Sequence, residues 1–160
     1  MAIHIVRFGT PRGPGEGPRL GTVRRPPRGV KKEDWSRRDY YDVWVPDLSP
    51  SAQLISWAHT EPLTGERWTR FAREYRKEMR APGAERLIAL LATLSRNADF
   101  AVGCYCEDVA HCHRAVLRDL LVEAGADVAG SDATAGGSTT AATASPPRAG
   151  RAPPRRPRAR

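Results

Sequence analysis

All three cysteines of the chain and two of its four histidines fall in one short stretch, Cys104-Tyr105-Cys106-Glu107-Asp108-Val109-Ala110-His111-Cys112-His113-Arg114. Three kinds of chemistry use such a set. As metal ligands, Cys104, Cys106 and Cys112 with either His111 or His113 supply the four donors of a closed tetrahedral zinc site. As a thiol site, a cysteine near a helix N-terminus beside His113 and Arg114 has its thiolate stabilised by the helix dipole and the neighbouring cations, so that Cys106 or Cys112 serves as nucleophile or redox centre. As packing residues, unpaired cysteines are small buried hydrophobes, although three beside two histidines and an arginine are hard to account for that way. The spacing weighs against metal. In an extended segment Cys104 and Cys106 point to opposite faces and converge only if the chain turns at Tyr105, and Arg114 repels a cation. On these grounds an exposed, metal-free thiol site is expected.

The run Phe100-Ala101-Val102-Gly103 before the cluster reads as a strand, and Val116, Leu117, Leu120 and Leu121 after it give an amphipathic helix ended by Gly125. The cluster therefore occupies a strand-to-helix turn, where open α/β sheets place their ligands. A second candidate is the basic loop Arg24-Arg25-Pro26-Pro27-Arg28-Gly29-Val30-Lys31-Lys32, whose paired prolines exclude a helix interior. Forked guanidiniums on a stiff backbone with a close-approach glycine are the parts of an oxyanion clamp. If both loops leave the same sheet edge, Arg28 and Arg114, with Arg25 alongside, can hold one phosphate, sulfate or carboxylate from two sides. Glu107 and Asp108 would then orient His113 or act as acid/base groups. His4 and His59 stand alone and read as ordinary surface or core residues.

The remaining elements set the frame. Ile3–Phe8 and Leu20–Arg24 read as strands separated by a Gly/Pro-rich loop, and Tyr40–Pro46 alternates as a strand that ends at proline. Ser49 followed by Pro50 predicts a helix N-cap and first turn. Trp68, Phe71, Tyr75 and Met79 recur at helical spacing as an aromatic stripe, expected to be core. Pro82 opens a third helix through Leu94. The pattern predicts an α/β or α+β domain, with a small sheet flanked by about four helices.

Composition divides the chain. From about residue 128 onward only Ala, Gly, Ser, Thr, Pro and Arg remain in quantity, with no apolar periodicity, so residues 1–127 are expected to fold and 128–160 to form a disordered tail. The net charge of +8 is correspondingly uneven. Residues 129–160 hold six arginines against Asp132, residues 1–40 hold ten Lys or Arg against four acids, and residues 41–128 are net negative. A basic tail of this kind can hold nucleic acid weakly and without reading sequence, and its competing reading is a solubilising appendage. Clustered, odd-numbered cysteines without an apolar leader or an ~18-residue apolar run point to a cytoplasmic protein with no membrane segment.

Three separate motifs carry a family resemblance. They are Arg25-Pro26-Pro27-Arg28-Gly29-Val30-Lys31-Lys32, Tyr41-Asp42-Val43-Trp44-Val45-Pro46-Asp47-Leu48-Ser49-Pro50-Ser51, and Gly103-Cys104-Tyr105-Cys106-Glu107 with Cys112-His113-Arg114. In this order they resemble the bacterial family catalogued as domain of unknown function 488, over about residues 3–125. The resemblance implies a compact cytoplasmic α/β domain and leaves the reaction to be read from the site. The expectation is a small enzyme or ligand-binding domain for an anionic group, with a zinc-binding structural protein and a nucleic-acid-associated protein as the competing readings.

Overall fold

In the computed structural model, which describes residues 1–130, four strands form one parallel sheet in the order β1-β4-β2-β3. The strands are β1 (Ile3–Arg7), β2 (Arg19–Gly21), β3 (Val43–Trp44) and β4 (Phe100–Cys104). All five residues of β4 are buried, as a strand between two parallel neighbours requires. Three helices bridge β3 to β4: α1 (Ala52–Ala58), α2 (Gly65–Glu78) and α3 (Pro82–Leu94). The fourth, α4 (His113–Glu123), follows β4 and ends at Gly125, whose φ of +84° suits the expected stop. This is the α/β arrangement that the sequence predicts.

Parallel pairing fixes where the loops go. The carboxyl ends of β2 and β4 lie on the same edge, so the basic loop after Gly21 and the cysteine turn after Cys104 emerge side by side. The approach is close at Gly103, where a Cβ would lie 2.3 Å from the Val6 carbonyl oxygen. A glycine before Cys104 thus lets β4 sit tightly against β1.

The aromatic stripe is core, as expected. Phe71, Tyr75 and Met79 are buried with Ile88, Leu91, Phe100, Val102, Leu117 and Leu121. A smaller apolar group of Phe8, Val23, Trp35, Tyr41, Cys104 and Cys112 underlies the cysteine end.

Three local expectations are corrected. The cap of α1 is Ser51, whose Oγ accepts from the Leu54 N–H at 3.1 Å. Ser49 instead donates to the Pro46 carbonyl at 2.6 Å, closing the short 3₁₀ turn Pro46–Leu48, so Pro50 precedes the helix rather than opening it. The strand expected over Tyr40–Pro46 contracts to Val43–Trp44, an exposed edge strand, because Tyr41 is drawn inward beneath Gly21. The strand expected over Leu20–Arg24 ends at Gly21. At the other terminus, Val128 is buried and bridges Ile3 in parallel, with Ala129 N–H donating to the Ile3 carbonyl at 2.9 Å. The packed chain therefore reaches past residue 127. The rest of the expected tail, residues 131–160, lies outside the described residues.

Candidate functional site

The turn that the spacing makes improbable is present. β4 stops at Cys104, the chain bends at Tyr105, and the Cys104 and Cys106 sulfurs come to 3.5 Å. Cys112, the N-cap residue of α4, completes the group, with all three sulfurs within 4.8 Å of one another. Cys104 and Cys112 are buried and Cys106 is exposed. Neither histidine joins this grouping. His113 is buried and its Nε2 lies 2.8 Å from the Thr22 carbonyl, to which it donates, leaving Nδ1 as a lone pair 4.0 Å from the Cys112 sulfur. Burial holds the His113 pKa below its ordinary value, so the ring is neutral. His111 is occupied elsewhere, 2.7 Å from the Asp108 carboxylate and edge-on to Trp68.

The three thiols share one charge. Interaction with the Cys104 thiol, then with the Cys112 thiol, outweighs the opposing effect of burial and, with the smaller influences of His113 and Arg114, pulls the Cys106 thiol far below its ordinary value. Giving its proton toward Cys106 pushes Cys104 up to about 11, and Cys112 is pushed higher still by Cys104 and Cys106. The negative charge thus sits on the exposed sulfur.

Arg114 supplies the balancing charge from below. It is 2% exposed, donates to the carbonyls of Val6 at 3.0 Å and Glu107 at 3.5 Å, and leaves a buried Nε without a partner. Among the described residues no carboxylate pairs with it. Glu107 is exposed and faces Arg7 at 2.8 Å.

Above the sulfurs opens a cleft of about 1670 Å³. Its lining includes Cys104, Cys106, Cys112, His113, Glu107 and Asp108 from the cysteine turn and Arg24, Arg25 and Arg28 from the basic loop. The two loops are tied directly, since the Tyr105 hydroxyl donates to the Arg25 carbonyl at 3.2 Å. Arg24 anchors the basic loop to the approach to α1 by donating to the carbonyls of Pro50 at 3.0 Å and Ser49 at 3.2 Å. The side chains of Arg25 and Arg28 are left exposed. The structure thus brings Arg25 and Arg28 to the cleft with Cys106, and places Arg114 beneath the cysteine loop instead of on the cleft wall.

Sequence reasoning missed four contributors. His59, set aside as solitary, lines the cleft with Thr60 and Glu61 at the end of α1. Tyr40 and Tyr105 also line it and meet edge to face. Arg19, 1% exposed, pairs with buried Glu16 and donates to the carbonyls of Thr10, Pro11 and Asp39, pinning the loop next to Tyr40. Nothing local in the Gly/Pro-rich loop marks Glu16 as the partner, and Arg19 falls just before the strand expected from Leu20, so its burial in β2 emerges only from the structure.

The family model described as the Active DUF488-N3 subclade matches residues 3–125. The chain belongs to this family. Within the DUF488 match lie the whole sheet, the basic loop, the cysteine turn and α4. Similar chains include proteins recorded as uncharacterised from Mycobacterium bovis and Mycobacterium tuberculosis. Each is 29% identical over 119 residues, covering 74% of this chain and 92% of the relative. No solved structure matches. No helix among the described residues is long and apolar enough to cross a membrane.

Proposed function

We propose that this DUF488 domain takes an anionic group of a small molecule into the cleft between the basic loop and the cysteine turn, and presents the Cys106 sulfur to it as a nucleophile. The observation that carries this reading is the placement of Arg25, Arg28 and the single exposed cysteine around one cleft. Two guanidiniums on a proline-stiffened loop meet an oxyanion with little ordering cost, and the bound group is then held beside the sulfur. His59 and Glu107 lie on the same lining as candidate proton carriers. Arg114 acts on the sulfur rather than on the ligand, as the buried charge that favours thiolate. Three free thiols fit a reducing cytoplasm.

Equilibrium dialysis of the metal-free protein against radiolabelled phosphate tests the anion half. Wild type is expected to bind one equivalent, and the Arg25→Ala/Arg28→Ala double variant to bind at least about tenfold more weakly, as loss of charge-assisted hydrogen bonds implies. Equal binding by the two proteins defeats the clamp. The nucleic-acid reading is separated by salt, because counterion release makes polyanion binding fall steeply with ionic strength and depend on the arginines beyond residue 147.

A further inference from the structure

The placement of the three sulfurs carries a second conclusion, which shares the cleft with the proposed function and does not depend on it. We infer that Cys104, Cys106 and Cys112 form a three-thiolate site for one thiophilic d¹⁰ cation of the zinc(II) class, with its fourth position open to the cleft. A zinc ion bonded to sulfur at about 2.3 Å in a tetrahedron sets its sulfurs about 3.8 Å apart. The Cys104–Cys106 separation is 3.5 Å and all three sulfurs lie within 4.8 Å of one another, so each needs to move by less than about 1 Å to reach that geometry. The turn at Tyr105 that unites them is held in place by the Tyr105 hydroxyl bond to Arg25 and by Arg7, whose Nε donates to the Tyr105 carbonyl at 3.3 Å.

The donor set decides the type of site. Structural zinc sites are closed by four protein ligands, and here the grouping holds three. Because all three cysteines line the cleft, an ion among them faces it, and a water or an anionic group is the natural fourth ligand. Soft thiolates select zinc(II) or copper(I) over magnesium or calcium. Charge also fits: three thiolates around a divalent cation leave one negative charge above buried Arg114, whose Nε has no partner. Binding converts the protonated thiols to thiolates and releases their protons to solvent. In the loaded state Cys106 is a ligand and its electron pair is no longer free for attack, so occupancy switches the nucleophile off.

Cadmium(II) and zinc(II) titrations of the full metal-free chain test this. One equivalent of cadmium(II) should produce a sulfur-to-metal charge-transfer band in the ultraviolet and stop alkylation of Cys106. Zinc(II) should displace the cadmium at the same stoichiometry. Cys106→Ser, an isosteric change at the exposed cysteine, should weaken binding by about a hundredfold or more while leaving the far-ultraviolet circular dichroism of the domain unchanged. No charge-transfer band, or a band of unchanged intensity and affinity in Cys106→Ser, overturns the inference. Phosphate binding by the metal-free protein is a separate measurement, so the clamp and the metal site can fail independently.

Discussion

Native, metal-free protein treated with iodoacetamide is expected to be alkylated at Cys106 alone, about two orders of magnitude faster than at Cys104 or Cys112. The contrast follows from access and charge together. Cys106 is exposed and holds the cluster's negative charge, whereas Cys104 and Cys112 are 6% and 2% exposed and retain their protons. Cys104 and Cys112 should react only on the timescale of opening or unfolding. Peptide mapping after a timed pulse reads the ratio directly. Similar labelling of all three in folded protein would mean that the turn at Tyr105 is not held. Protection of all three would make them packing residues.

Glu16→Gln is expected to destabilise the domain by about 3–5 kcal/mol, because it leaves the buried Arg19 guanidinium without its countercharge. The pair closes at 2.5 Å, and Arg19 also organises the carbonyls of Thr10, Pro11 and Asp39. Burial alone would raise the Glu16 pKa, but hydrogen bonds from Arg19 and Gly13 and the charges of Arg19 and Arg12 bring it below its ordinary value. Asp42 is lowered in the same way: burial opposes, while Arg12, Ser36 and the Arg19 N–H prevail. A carboxylate whose pKa is lower in the folded chain adds stability that is complete above its unfolded value, about 4, and is lost as pH falls through the folded value. Wild type should therefore lose stability below about pH 4, and Glu16→Gln should show a shallower acid limb from a lower plateau. Urea unfolding at a series of pH values measures both. A cost under about 1 kcal/mol would show that the pair does not hold this loop.

The sheet and helices were legible wherever apolar spacing was long enough to have a period. The stripe Trp68, Phe71, Tyr75 and Met79 gave α2, and the leucines after Pro82 gave α3. Short elements were blurred by their neighbours. Pro50 suggests a first helical turn, yet Ser49 is drawn into the turn with Pro46, and only a side-chain hydrogen bond distinguishes Ser51 as the cap. Val128 was assigned to the tail because nothing in Asp127-Val128-Ala129 shows that it lies beside Ile3, a contact spanning the length of the domain. At the site, residue types were informative and directions were not. The cysteine cluster and basic loop were legible, but alternation along an extended chain puts Cys104 and Cys106 on opposite faces, and one bend at Tyr105 brings them to 3.5 Å. Arg114 is expected at the ligand if the two loops share a sheet edge, as they do, yet its donation to the carbonyls of Val6 and Glu107 is set by the β1–β4 pairing and the path of the turn.

Protection of Cys106 by an oxyanion tests the central claim most directly, because it requires the basic loop and the cysteine turn to serve one cleft. The alkylation rate of Cys106 is measured in metal-free protein at constant ionic strength with increasing inorganic phosphate, for wild type and for Arg25→Ala/Arg28→Ala. The account predicts saturable protection in wild type, shifted to at least about tenfold higher phosphate in the double variant. A Cys106 rate that is independent of phosphate, or protection at the same concentration in both proteins, would contradict it.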